Sequence, residues 1–315
     1  MASVRFALIG RSEWLFDAGK SLLGRGHELA LVVTAREAPE YRVKEADFKE
    51  LAASCGCPFL HTGAINSPAS LRFIEGAAPI DIGISINYPG ILSQEVLDKF
   101  PHGVLNAHGG DLPRYRGNAC QAWAILNGET HIGLCVHRML GGELDSGDIL
   151  ARVRLPLLEA TRIGEVQAWM AVEIPSLMVL ALERLEANPE FTLETQSTSP
   201  IPPLRCYPRR PEDGRIDWAS PALHLVRLVN ASSEPYPGAW CLLEGEPFVV
   251  WRAECLEDGE QFCAIPGQVA SYNGATGSLA VCTGEGKLLI LEATYRGTRT
   301  GRPGDLVSSM RSRLT

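Results

Sequence analysis

Asn106 and His108 stand two residues apart, directly after a predicted strand at residues 103–106. Asparagine supplies an amide donor, and histidine supplies a proton that titrates near neutrality. Gly109 and Gly110 follow, so the backbone can approach a bound molecule there. Thirty-seven residues after His108 comes Asp145, in a Leu-Asp-Ser-Gly turn after another strand. A carboxylate beside an imidazole favours its charged form. Together the three groups suit attack on a carbonyl. The donors hold a developing oxyanion, and the His–Asp pair manages protons.

Such residues need strand ends to hold them. Apolar runs at residues 4–9, 29–34 and 80–86 read as strands. Helical spacing at 12–23, with Trp14, Ala18 and Leu22 on one face, at 45–54 and at 93–100 alternates with them. This texture predicts an α/β fold, a Rossmann-like, mostly parallel sheet with helices on both faces. A longer helix is expected over 163–186, kinked at Pro175. Prolines at 200, 202, 203, 208 and 211 then make residues 197–211 a semi-rigid connector. Beyond it come one helix at 222–230 and five short strands, at 240–243, 248–253, 268–270, 279–282 and 288–293. That spacing predicts a small β-barrel of the OB-like kind. The expected domains are residues 1–203, carrying the chemistry, and 204–315, the barrel.

The chain has 315 residues, of which 45% are hydrophobic and 21% charged, with a net charge of −8. This fits about two domains at ~150 residues each and excludes a disordered chain. The acidic balance argues against a dedicated DNA coat or a polybasic membrane protein. No G-x-G-x-x-G follows the first strand, so a dinucleotide fingerprint is missing. Nine cysteines form no CxxC pair and read as reduced apolar fillers. The histidines form no ligand-spaced set, and no metal is expected. The first residues read as a strand and not a signal peptide. The strongly apolar stretch near 177–182 is far shorter than the ~20 residues of a membrane span. A cytoplasmic protein with no membrane contact is expected.

Asn106-Ala-His108-Gly, Leu112-Pro-Arg-Tyr-Arg-Gly117, Asn127-Gly-Glu129 and Leu144-Asp-Ser-Gly147 together resemble the 10-formyltetrahydrofolate-dependent formyltransferase family. The second half carries the likeness onward in Tyr207-Pro-Arg-Arg-Pro, Ile216-Asp-Trp218 and Pro235-Tyr-Pro-Gly-Ala239. These segments resemble both the methionyl-tRNA and sugar branches. The likeness is greatest to the formyltransferase half of the lipid A aminoarabinose enzyme. The resemblance implies transfer of a formyl group from 10-formyltetrahydrofolate, the co-substrate, to a primary amine through a tetrahedral intermediate. It implies that Asn106 and His108 contact the formyl oxygen and that Asp145 supports His108 in proton transfer. Gly90, Ile91 and Leu92 match the segment lining the folate pocket. Leu140, Gly141, Gly142, Glu143 and Leu144 match the loop whose backbone reads the pteridine edge. The run from Met139 to Asp145 is one residue longer than in most members. Asn118 stands where the aminoarabinose branch has an arginine beside the folate.

Plainer readings compete at several positions. Arg114, Tyr115 and Arg116 are expected at the acceptor, because arginine suits bidentate binding of a phosphate. They equally fit a solvated loop with a packed tyrosine. His137 alternates with Cys135 and Met139 and reads as an ordinary strand residue. Trp14, Trp123 and Trp218 read as core.

Three hypotheses about function remain at this level: formylation of a nucleotide-linked amino sugar, formylation of methionyl-tRNA, and a folate-binding protein without turnover. The third predicts loss of Asn106, His108 or Asp145, and all are present. Residues 204–315 hold 12 Lys and Arg against 13 Asp and Glu, which disfavours a tRNA-holding face. Arg296, Arg299, Arg302, Arg311 and Arg313 are the one basic cluster there. After the second strand the tRNA branch has a glycine- and lysine-rich loop. Residues 35–42 here read AREAPEYR, without glycine and with two acids. The amino-sugar reading is therefore preferred. A monomer and a two-fold homodimer remain equally open.

Overall fold

The structure, a computed structural model, describes residues 3–307 and 309–315. Elements follow in the order β1 (Arg5–Gly10), α1 (Glu13–Gly24), β2 (Glu28–Thr34), α2 (Glu45–Cys55), β3 (Phe59–His61), α3 (Pro68–Gly76), β4 (Ile82–Ile86), α4 (Gln94–Leu97) and β5 (Val104–His108). Then come β6 (Tyr115–Gly117), α5 (Cys120–Leu126), β7 (His131–Arg138), β8 (Ile149–Pro156), α6 (Ile163–Ala187) and β9 (Leu204–Cys206). The rest of the chain holds α7 (Ala222–Ser232), β10 (Ala239–Leu243), β11 (Glu246–Cys255), β12 (Val269–Tyr272), β13 (Leu279–Cys282), β14 (Lys287–Tyr295) and β15 (Thr298–Thr300).

Contacts divide the chain into two compact units. The first comprises residues 1–120, 132–155 and 167–207. Its sheet runs β3-β2-β1-β4-β5-β7-β8. Pairing is parallel from β3 through β5, and β7 joins β5 antiparallel. Phe6, Ala7, Leu8 and Ile9 are fully buried, as a strand covered on both faces must be. On α1 it is Leu15, Ala18 and Leu22 that lie deepest, while Trp14 sits half-buried at the edge. The strand order reverses between β1 and β4, which opens a crevice beyond the carboxyl ends of the strands. Asn106 and His108 lie at that end of β5.

Two expectations about the first unit change. The proline-rich stretch is not a bare connector. It contributes β9, whose Leu204–Cys206 pairs in parallel with Tyr115–Gly117 of β6. Also, α6 is a 25-residue helix, long and apolar enough by length and composition to cross a membrane. Its buried residues Val166, Met170, Ile174, Met178, Ala181 and Leu185 recur at three- and four-residue spacing, the face of a core helix. It continues through Pro175.

The second unit comprises residues 121–131, 156–166 and 208–315. Its antiparallel sheet runs β10-β11-β14-β13-β12, with β15 on β14. Helix α7 packs on β11 and β14 through Leu225, Val226 and Val229. The last residues join the two sheet edges. Leu242 of β10 exchanges backbone hydrogen bonds with Thr315 at 2.8 and 2.9 Å, and Leu314 donates to the Gly267 carbonyl at 2.8 Å. Leu314 is buried in the core. The C-terminal segment thus gives both edge strands a partner, which protects the edges that an open sheet would expose.

Candidate active site

The antiparallel register of β5 and β7 sets Asn106 opposite His137 and His108 opposite Cys135. Cross-strand neighbours on one face have side chains in reach of each other. Asn106 Nδ2 accordingly lies 3.1 Å from His137 Nε2. His137 Nδ1 sits 2.8 Å from the Arg138 carbonyl, which can only accept. The ring therefore donates from Nδ1 to that carbonyl, and its Nε2 faces both the Asn106 amide and the Asp145 carboxylate. His137 is 1% exposed, so this contact is sealed from water. The sequence reading placed His137 as an ordinary strand residue; the structure puts it inside the site, holding Asn106.

Asp145 joins the group from the turn before β8. It has φ 48°, a left-handed conformation uncommon for residues other than glycine. Its Oδ2 accepts the Gly117 backbone N–H at 2.9 Å and lies 3.5 Å from His108 Nδ1. Its Oδ1 lies 3.4 Å from Asn106 Nδ2 and 3.5 Å from His137 Nε2. Burial alone would push this carboxyl up. The His108 charge, His137 and the Gly117 N–H outweigh it and hold the carboxyl well below its usual range. His108 Nε2 lies 2.7 Å from the Tyr115 carbonyl and must donate to it. With that nitrogen occupied, Nδ1 is the one that can serve chemistry. Its 3.5 Å gap to Asp145, with the 3.4 Å gap from Asn106, is loose enough for a reacting group to compete.

The two loops expected to hold folate come together. Gly142 N–H donates to the Leu92 carbonyl at 3.0 Å, and Gly141 N–H to Gln94 Oε1 at 3.2 Å. Leu92 is buried, while Ile91 and Leu140 are 46% and 44% exposed. Two exposed apolar side chains on these linked segments fit a flat aromatic ligand. Gly90 and Glu143 are exposed, and Leu144 is half-buried. Asn66, which nothing in the sequence singled out, braces this segment: it donates to the Ile91 carbonyl at 2.8 Å and accepts from Ser93 N–H at 2.9 Å.

Acceptor-side expectations fare unevenly. Arg114 is exposed, with its guanidinium 5.3 Å from the centre of the Tyr115 ring. Tyr115 is 2% exposed, so its ring packs in the fold, and its carbonyl faces His108. That corrects its place among acceptor-binding side chains. Arg116 donates to Gln196 Oε1 at 2.8 Å. Asn118 is exposed and donates its backbone N–H to Cys206 at 3.1 Å. All nine cysteines are free, and Cys120 lies 3.7 Å from His108 Nε2. Among the described residues, no group of three His, Cys, Asp or Glu could hold a metal.

Residues 5–182 match the profile of the formyl transferase family, and residues 209–311 match that of the formyl transferase C-terminal domain. The chain belongs to the formyl transferase family. It is 30% identical over 314 residues to a methionyl-tRNA formyltransferase of Solibacter usitatus (strain Ellin6076), covering 98% of this chain and 96% of that one. In fold it is similar to WlaRD, a sugar 3N-formyl transferase crystallised with dTDP and 5-N-formyl-THF. There the TM-score is 0.64 at 14% identity, covering 95% of this chain and all of that one. It is also similar to HypX of Aquifex aeolicus in complex with tetrahydrofolic acid, with a TM-score of 0.58 at 21% identity. That match covers 93% of this chain and 44% of HypX, so the chain spans under half of HypX. The enzyme is thus a formyltransferase that uses a formyl-folate donor.

For this formyltransferase the depressed Asp145 carboxyl has a consequence for stability. Its contribution is complete above the ordinary value of 3.8 and is lost as pH falls through the lower folded value. The wild type should therefore lose stability on acidification more steeply than Asp145→Asn. Urea midpoints between about pH 2 and pH 7 check this, and parallel profiles would contradict it.

Proposed function

We propose that this formyltransferase transfers the formyl group to the primary amine of a nucleotide-linked amino sugar. The observation that carries the acceptor class is the pairing of three arginines of the second unit's basic cluster, Arg296, Arg299 and Arg302. Arg299 is bound to Glu292 at 2.6 Å and also to Glu234. Arg302 is bound to Asp305 at 2.7 Å, and Arg296 lies 3.6 Å from Glu244. A tRNA backbone would have to displace these carboxylates to gain its phosphate contacts. In the first unit, Arg11 is likewise spent on the Asn87 carbonyl at 3.0 Å and on that of Arg36 at 2.6 Å. WlaRD, crystallised with dTDP, supports the same class, as does an N-formyltransferase of Helicobacter canadensis in complex with dTDP-3-aminofucose, similar at a TM-score of 0.63.

The chemistry assigns each group a role. Ile91, Leu92 and the Leu140–Leu144 backbone hold the folate so that its formyl carbon lies beside Asn106 and His108. The unprotonated amine adds to that carbon, whose oxygen becomes negative. Asn106 amide and His108 Nδ1–H turn from Asp145 to that oxygen, in a site where the same donors are already assembled. Asp145 accepts a proton from the resulting ammonium and, with His108, passes it to N10; the oxyanion then re-forms the carbonyl, the bond from the formyl carbon to N10 breaks, and tetrahydrofolate leaves. Arg114, exposed beside the site, meets acceptor phosphate.

The second reading, methionyl-tRNA as acceptor, is favoured by the Solibacter usitatus relative. A panel of nucleotide-linked amino sugars and charged initiator tRNA, each with 10-formyltetrahydrofolate, separates the two by release of tetrahydrofolate. Release with an amino sugar and none with the tRNA is expected. Efficient release with the tRNA and none with any sugar would reverse the assignment.

A further inference from the structure

Gln196 begins a short 3-10 turn and is 5% exposed. It reaches that place because the strand-like segment before it is pinned. Ile149 and Glu194 form an antiparallel bridge, and Glu194 is ion-paired to Arg152 at 2.8 Å. The Gln196 amide is then used at both ends. Its Oε1 accepts from Arg116 Nη2 at 2.8 Å, and arginine can only donate, so the orientation of the amide is fixed. Its Nε2 donates to the Asp145 carbonyl at 3.0 Å and to the Gly147 carbonyl at 2.6 Å. Both hydrogens thus clasp the turn that carries the catalytic carboxylate.

That turn needs a clasp. Asp145 is held at φ 48°, and a non-glycine residue keeps such a conformation only where its surroundings over-determine it. At Gly147 a side-chain carbon would lie 2.0 Å from the Arg138 carbonyl, so the turn is wedged against β7.

We infer that Gln196 is a positioning residue for formyl transfer: it fixes the left-handed turn that aims the Asp145 carboxylate at His108 and Asn106, and it ties that turn to Arg116 on β6. The inference rests on the reading of Asp145 as part of the catalytic unit. Displacing a catalytic group by about 1 Å can lower turnover ~10²-fold.

The test is a set of turnover measurements with the best amine acceptor, beside folate affinity by calorimetry. Gln196→Leu removes the donors. Gln196→Glu keeps the size and the bond from Arg116 but sets a carboxylate against two carbonyls. Both should lose at least about tenfold in kcat while folate affinity stays within about threefold, which also shows that the variants are folded. In an Asp145→Ala background, Gln196→Leu should cost nothing further, because it acts through Asp145. Normal kcat in Gln196→Leu would overturn the inference, as would recovery in Gln196→Glu. The same fold-loss on top of Asp145→Ala would also overturn it, since that is what a merely structural role gives. Turnover surviving intact in Asp145→Ala alone would instead remove the catalytic reading of Asp145, and the inference with it.

Discussion

His108→Ala and Asp145→Ala are each expected to lower kcat by about 10²–10³-fold or more, with folate affinity largely kept. His108 Nδ1 faces Asp145 Oδ2 at 3.5 Å, and its other nitrogen is committed to the Tyr115 carbonyl. Removing the imidazole deletes the donor to the oxyanion and one station on the proton's route. Removing the carboxylate frees the same imidazole from its counter-charge, leaves the Gly117 N–H without its acceptor and takes one of two partners shown from the Asn106 amide. Either loss disables the same unit, so the double variant should be little worse than either single one. In the proposed reading, apolar and backbone groups at Leu92 and Leu140–Leu144 hold the folate, so binding should survive. Steady-state turnover beside calorimetric affinity checks the split. Near-normal kcat in His108→Ala would remove the proton-transfer role. An Asp145→Ala enzyme that lost only folate affinity would make Asp145 a pocket wall.

Gly110→Ala is expected to abolish turnover through a single methyl group. A side-chain carbon at Gly110 would lie 2.3 Å from the Tyr115 carbonyl oxygen and 2.4 Å from His108 Nε2. Both contacts are far inside van der Waals range, and they fall on the bond that fixes the imidazole. Backbone cannot yield cheaply, so the ring must leave its place or the Tyr115 segment must shift. Since ~1 Å of misplacement can cost 10²-fold, kcat should fall at least that far. Gly110 is not a member of the core cluster that holds Leu92, so the variant should fold and bind folate. Turnover within threefold of wild type would mean that the His108 position is not critical.

The residues proposed to carry the chemistry were legible where local pattern marked them. Asn106 and His108 end an apolar strand, and Asp145 sits in a turn with a recognisable string around it. The parallel sheet followed from runs such as residues 4–9, whose burial on both faces demands unbroken apolar sequence. His137 is the buried strand residue that its alternation suggested, but its contact with Asn106 was not legible, because it comes from the register of β7 against β5, a pairing of residues 31 apart that no local period encodes. Gln196 was invisible for the same reason, being 51 residues from the carbonyl it holds. Strands β6 and β9 have three residues each, too few to show alternation, so the connector hid a strand. The joining of β10 to β12 likewise depends on a C-terminal segment whose residues carry no strand signal of their own.

Transfer of an isotopically labelled formyl group tests the catalytic account most directly. The enzyme is mixed with 10-formyltetrahydrofolate labelled with carbon-13 in its formyl group and with a nucleotide-linked amino sugar, and the label is followed by NMR. The expected result is movement of the signal from the folate to an N-formyl amide on the sugar in the wild type. In Asp145→Ala the signal should remain on bound folate. Label appearing on the sugar at the wild-type rate in Asp145→Ala, or leaving the folate only as formate in the wild type, would contradict it.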